Sequence, residues 1–157
     1  MSIPGIGARA AQIIIAEIGV DMTRFPTAAH LASWAGLCPG NHESAGKRKT
    51  GKTRDGNPHL TTVLVEAAWA TARTSTRLGA RFRRLHRRTG KTAGAKAAVA
   101  VAHTLLVIIW QLLTHGRTYT DLGADYYTRR DNPETRAARL TRQLEALGYT
   151  VALSPTA

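Results

Sequence analysis

An all-α fold is predicted by three observations. Residues 58–76 carry Leu60, Val63, Leu64, Ala67, Ala68 and Ala72 at helical spacing, which is the signature of an amphipathic helix. Residues 97–113, AAVAVAHTLLVIIWQLL, form the most apolar run of the chain. Helix starts and stops fall where they are needed, with Gly19 and Gly36 closing two segments, Thr27 placed as an N-cap and Pro58 suited to a first turn.

The elements follow in order. Residues 3–19, IPGIGARAAQIIIAEIG, open on a glycine-punctuated turn and continue as a helix beginning near Ala8, whose first backbone amides are left free. A second helix follows Thr27, with Leu31, Trp34 and Ala35 on one face and Gly36 at its end, which places Leu37 at the mouth of a polar segment. After the helix from Pro58, with Trp69 near its edge, residues 78–88 set Arg81, Arg83, Arg84, Arg87 and Arg88 around Phe82 and Leu85, a basic stripe held down by two apolar anchors. The apolar run 97–113 contains His103, Thr104 and Gln111 and falls short of the roughly 20 residues of a membrane span, so it reads as a buried core helix. Residues 116–127 form a loop with tyrosines that pack or contact backbone, residues 134–147 a short charged amphipathic helix with Leu140, Leu144 and Leu147, and the tail from Tyr149 an irregular end. The organisation expected is a domain over 1–127, with a helical core at 58–115, and a charged helical tail over 128–157.

The segment 37–57, LCPGNHESAGKRKTGKTRDGN, follows neither a 3.6 nor a 2.0 period and reads as a loop, long enough to be functional or mobile. Glu43 precedes Ser44, and Lys47, Arg48, Lys49, Lys52 and Arg54 follow it among four glycines. Glycines let a backbone approach a ligand closely, and basic side chains supply charge-assisted hydrogen bonds to phosphate oxygens. The same composition also describes a solvated basic linker in which the serine serves turn geometry, and on composition alone the linker reading prevails.

Charge narrows the partner. The 157-residue chain is 43% hydrophobic and carries a formal net charge of +12, a globular composition with a basic excess. Residues 47–96 hold fourteen basic side chains against Asp55 and Glu66, a surplus equal to that of the whole chain. Such concentration is the electrostatic footprint of a nucleic-acid binder. A membrane partner is disfavoured because no bulky apolar helix face accompanies the charges. Cys38 is the sole cysteine, which excludes an intramolecular disulfide and a cysteine-type zinc cluster, and pairing it with His42 makes too small a ligand set for a metal. Residues 89–92, TGKT, resemble the end of a phosphate-binding loop, but Leu85 stands where its first glycine is required, so an ATPase is excluded. No charged-then-apolar leader opens the chain, which predicts a cytoplasmic, nucleoid-associated protein.

Two resemblances extend these readings. The turn Ile3-Pro4-Gly5-Ile6-Gly7 resembles the hairpin of helix-hairpin-helix motifs, which implies contact of Gly5, Ile6, Gly7 and Arg9 with a DNA phosphate at a helix N-terminus. Residues 3–19, RFPTAAHLASWAGLCPG at 24–40, ESAGKRKTGKTRDGN at 43–57 and AAVAVAHTLLVIIWQLLTHGRTYTDLG at 97–123 together resemble the C-terminal domain of bacterial insertion-sequence transposases that pair a catalytic serine with a RuvC-like domain and act with a bridge RNA. The family often has an arginine where this chain has Thr61. The resemblance implies that Ser44 attacks a DNA phosphodiester to form a phosphoserine linkage. The basic pattern itself points to DNA contacts from Lys47, Arg48, Lys49, Lys52, Arg54, Arg83, Arg84, Arg87 and Arg88, and the resemblance implies a guide (bridge) RNA as a further partner and a homo-oligomer in the full-length protein. Magnesium is implied only for four acidic residues of the RuvC-like domain, which the sequence does not contain, so no cofactor is expected on this chain and it is expected to be inactive alone, as a truncated or excised domain. The alternative is a nucleic-acid-binding or assembly module without chemistry.

Overall fold

A computed structural model describes residues 3–38, 43–44, 46–48, 55–87, 93–130 and 132–154, with residues 43, 44, 47 and 48 described by their backbone. Seven helices are described: α1 (Ala8–Ile18), α2 (Ala28–Trp34), α3 (Pro58–Thr71), α4 (Arg77–His86), α5 (Ala93–His115), α6 (Tyr126–Arg130) and α7 (Pro133–Glu145). The expected all-α class holds. A 3-10 turn, Met22–Arg24, links α1 to α2.

The centre of the molecule is α5. It packs against α2, α3 and α4, while α1 lies on α3 and α6 on α4. Ala97, Ala98, Val101, Ala102, Leu105 and Leu106 are buried among Ile14, Ile18, Leu31, Leu60, Leu64, Leu78 and Phe82 from the surrounding helices. Each fully buried Leu or Ile contributes about 1.5–3 kcal/mol, so the seam around α5 dominates stability. At 23 residues α5 is longer than the apolar run, and by length and composition it passes as a membrane span. Small residues Ala93, Gly94 and Ala95, followed by Lys96, extend the helix ahead of the apolar segment that the hydropathy pattern marks. Its inner face is buried against three neighbours, and this packing accounts for its apolarity without a bilayer. Trp110 fastens it further by donating from Nε1 to the Phe25 carbonyl (2.9 Å).

Helix ends follow the sequence signals closely. Thr27, Asn57 and Thr76 each accept from an amide three residues on and cap α2, α3 and α4. At the end of α2, Gly36 has φ 72°, the Gly36 amide donates to Ser33 (3.1 Å) and the Leu37 amide to Ala32 (3.0 Å). This Schellman pair turns Leu37 back into the core, where it is 2% exposed, and releases the chain into the serine segment. The helix from Pro58 ends at Thr71 rather than near residue 76, because Thr71, Thr74 and Thr76 divert hydroxyls into the α3–α4 corner, with Thr71 donating to Ala68 (2.7 Å) and Thr74 to the Thr71 carbonyl (2.8 Å). The loop expected at 116–127 contains a short helix at its end, α6, which begins at Tyr126.

Candidate nucleic-acid interface

Three places bear on nucleic-acid chemistry, and the structure sets them apart. The first is the serine segment. Its base is rigid at both ends: Leu37 is buried, and Gly56 sits so close to the end of α2 that an added Cβ would collide with Ala35 and the Gly36 amide. Asn57 then performs two tasks. Its Oδ1 accepts from the Leu60 amide (2.9 Å) and its Nδ2 donates to Glu17 of α1 (2.6 Å). Thr61, where the resembled family often has arginine, donates its hydroxyl to the Ala35 carbonyl (2.9 Å). Beyond this base the backbone makes a minimal hairpin of β1 (Glu43–Ser44) and β2 (Lys47–Arg48), antiparallel, with Glu43 opposite Arg48 and Ser44 opposite Lys47. The chain reverses over two positions, of which Gly46 has φ 73°. A turn residue able to adopt positive φ is enough to start such a pairing, and it leaves no hydrophobic alternation for sequence to reveal. His42, Lys49, Lys52 and Arg54 lie outside the described residues.

The second place is the glycine turn. The Ile6 amide donates to the Ile3 carbonyl (3.0 Å), with Pro4 second and Gly5, at φ 83°, third, the residue pattern of a type II turn. Gly5 faces α3: an added Cβ would meet the Ala67 carbonyl and the Thr71 methyl. Its lack of a side chain therefore serves packing. Gly7 is different, because an added Cβ there would meet nothing, and as N-cap of α1 it makes no side-chain cap bond. The first-turn amides of α1 thus have no capping side chain beside them. Ile6 is half-buried against the core, while Arg9 is exposed and borders, with Gly5, Val63 and Glu66, a groove of about 570 Å3 between α1 and α3.

The third place is α4. Its arginines divide by role in a way that their spacing does not reveal. Arg83 turns back and donates from Nη1 to the carbonyls of Ala72 (2.9 Å) and Thr74 (3.0 Å), so it caps the end of α3. Arg84 lies over the ring of Tyr127, 5.3 Å from its centroid. Arg81 reaches the Tyr127 hydroxyl (3.5 Å). Burial raises the Tyr127 phenol, but hydrogen bonds from Arg81 and Arg77 outweigh it and hold the group below its usual value. Arg77 and Arg130 cover Tyr126 at 4.9 and 5.3 Å, and the two tyrosine rings meet edge to face at 5.0 Å. Asp121 locks the layer in place by accepting from the Arg77 amide (3.2 Å), the Gly123 amide (2.8 Å) and Tyr119 (2.9 Å). Burial, with that bond to Asp121, pushes the Tyr119 phenol up to about 12. Arg83, Arg84 and Arg87 share a groove of about 630 Å3 with Tyr127, Thr128 and Arg139. The last three were not singled out from sequence. Arg88 lies outside the described residues.

These places are ordered by α3. Asn57, at the base of the serine segment, caps its start, whereas the Gly5 turn and Arg83 both meet its last turns. At 1.5 Å per residue the two ends are roughly 15–20 Å apart. The glycine turn and the capping arginine both meet the same end of α3, and the base of the serine segment lies at the opposite end. Among the described residues no three His, Cys, Asp or Glu side chains group as a metal site. Cys38 is a half-buried free thiol against the core.

The family model of the IS116/IS110/IS902 transposases matches residues 1–84, from the glycine turn through the serine hairpin to α4. The chain belongs to that family. Among curated relatives, the insertion element IS110 uncharacterized 43.6 kDa protein of Streptomyces coelicolor is 34% identical over 120 residues, covering 75% of this chain and 29% of its own length. The transposase for insertion sequence element IS1111A of Coxiella burnetii is 33% identical over 123 residues, covering 75% of this chain and 33% of its own length. The chain therefore spans about a third of these relatives. No solved structure is significantly similar. Within the IS116/IS110/IS902 match lie Ser44, the glycine turn, Arg83 and Arg84, while Arg87, Tyr127, Thr128 and Arg139 lie beyond it.

Proposed function

We propose that this chain is the serine-bearing domain of a DNA transposase and that Ser44 is its nucleophile. The observation that carries the reading is the placement of Ser44: a two-residue hairpin opposite Lys47, on a base pinned by Leu37, Gly56 and Asn57, inside the matched segment of a transposase family. In the reaction, the Ser44 Oγ–P bond forms as the bond from phosphorus to one deoxyribose oxygen breaks. The serine proton passes to a base, and the departing oxygen takes up a proton. A serine hydroxyl needs activation or strong stabilisation of the charge that develops, and the cations of Lys47, Arg48, Lys49, Lys52 and Arg54 are the groups this segment supplies.

Magnesium belongs to this reading only through a partner domain. The described residues offer no carboxylate cluster fitted to the ion, so no step is routed through it here. The acidic residues would come from a RuvC-like domain, within or across protomers of a homo-oligomer, on a DNA target with a bridge RNA as guide. The glycine turn is proposed as a second DNA contact, through the open amides of α1, Ile6 and Arg9. A DNA strand touching both the turn and the serine would run along α3 for roughly 15–20 Å, about five nucleotides at 3.4 Å each. The protein would act in the cytoplasm at the nucleoid.

The test is a covalent adduct. The chain is mixed with labelled insertion-end DNA and a full-length relative whose own serine is replaced, and the denatured mixture is scored for label on the 16.9 kDa chain. Adduct from the parent chain and none from Ser44→Ala is expected. An adduct of unchanged yield in Ser44→Ala overturns the assignment. Salt-dependent binding with no adduct from either would favour a binding or assembly module without chemistry.

A further inference from the structure

We infer that the groove between α4, α6 and α7 is a phosphodiester-backbone site separate from the serine segment, with Arg87 and Arg139 as its phosphate ligands. This rests on the reading of the chain as a nucleic-acid-handling protein, but not on the role of Ser44. The groove, about 630 Å3, is lined by arginines from two helices together with Ala80, Ala124, Tyr127 and Thr128, and among the described residues by no carboxylate. A solvated basic face would spread its cations outward. Here they border a concavity, where low-dielectric walls concentrate the potential and attract an anion.

The ligand class follows from what the aromatic rings are doing. Exposed tyrosines beside arginines ordinarily suggest base stacking. The Tyr126 ring, however, is already covered by both Arg77 and Arg130, and Tyr127 carries Arg84 with Tyr126 against it edge-on. Beside the rings, Arg77 and Arg81 each bury an Nε–H that has no acceptor among the described residues, so the wall is cationic as well as aromatic. The groove therefore presents guanidinium forks and the Thr128 hydroxyl, which suit phosphate oxygens, and offers little free ring surface to a base. Such a site takes a polynucleotide backbone without regard to sequence. Arg83 is excluded from the ligand set although it lines the groove, because its Nη1 is held by two carbonyls. Tyr127 is part of the wall: its ring lies under Arg84, and its hydroxyl accepts from Arg81.

The experiment measures equilibrium binding of the full chain to labelled DNA duplexes of two unrelated sequences, and to an RNA duplex, over a range of salt. Each lost phosphate contact lowers the slope of log affinity against log salt by about 0.9 on B-DNA. Arg87→Gln/Arg139→Gln is expected to lower the slope by about two, equally for both DNA sequences, with an unchanged helical circular dichroism signal. Tyr127→Phe, which keeps the ring and removes no phosphate ligand, leaves the slope as it is. A shift on DNA and RNA alike supports the shared backbone chemistry, and a shift on one alone names the source. An unchanged slope in the double variant, a loss confined to one sequence, or absence of nucleic-acid binding by the parent chain at low salt overturns the site. Ser44→Ala leaves the slopes as they are, so a failed adduct assay and a failed groove are told apart.

Discussion

Arginine at one position of α4 serves the fold, and at a neighbouring position it faces a groove. Arg83 is half-buried and gives its Nη1 to the carbonyls of Ala72 and Thr74, groups that the end of α3 would otherwise leave without partners. Arg87 ends α4 and is exposed. Hydrogen bonds from a charged donor are worth about 1.5–3 kcal/mol when buried, and partial exposure brings the figure down. Arg83→Met keeps the apolar stem and removes the donors. It should lower unfolding stability by about 1–2 kcal/mol, seen as a reduced urea midpoint at constant m-value, while the salt slope of nucleic-acid binding stays put. If the slope fell by about one instead, Arg83 would be a phosphate ligand and the division between the two arginines would be wrong. Gly5 makes the same point about reading residues singly. A glycine in a turn suggests close approach of a ligand, yet here the close approach is that of α3.

Helix ends carry the coupling between elements, and Asn57 is the clearest instance. It caps α3 and ties that cap to Glu17 of α1, 40 residues earlier, at the point where the serine segment rejoins the helical body. Loss of an N-cap costs about 0.5–2 kcal/mol, and the bond to Glu17 adds to it. Asn57→Ala should therefore destabilise by about 1–3 kcal/mol in thermal or urea unfolding, and Glu17→Gln, which keeps an acceptor, by less than Glu17→Ala. Equal effects of the two Glu17 substitutions would remove the tie from the account. The cap at Thr27 and the first-turn place of Pro58 were legible in sequence because they depend on residues within one turn of each other. The bond from Asn57 to Glu17 was not, since no local pattern pairs residues so far apart. The same limit applies to the groove: Arg84 and Arg87 stood out as a stripe, but Tyr127 and Arg139 arrive from beyond α5, and only packing reveals that they line the same cavity. The hairpin at Ser44 was hidden for another reason, because two paired residues per strand are too few to show a period.

The same packing around α5 gives the whole molecule a defined response to acid. His103 sits on α5, where burial first and the nearby charge of Arg81 second hold its pKa below the ordinary 6.5. Among the described groups with a resolved shift, Asp21 is held below its ordinary 3.8, Tyr119 is raised to about 12, Tyr127 is lowered from 10, and His103 is the histidine of the set. The sign follows from linkage: between the lowered native value and 6.5 the unfolded chain binds the proton and the folded chain does not, so stability is fully present above 6.5 and is lost as the pH falls through the native value. Protonation is opposed first by burial and then by the charge of Arg81 on α4, so the imidazolium form is disfavoured in the folded chain. Unfolding midpoints measured from pH 7.5 to 5 should decline in the parent chain over the window just below 6.5, and His103→Gln should flatten that decline while leaving the acid transition of the carboxylates in place. A parent chain whose midpoint is flat across the window, or a His103→Gln variant that declines in parallel with it, would place the histidine in a solvated setting rather than against the arginine layer. Because α4 also supplies the proposed phosphate ligands, a bound polynucleotide that partly neutralises the layer should reduce the parent's decline. The same titration repeated with saturating DNA duplex measures that reduction.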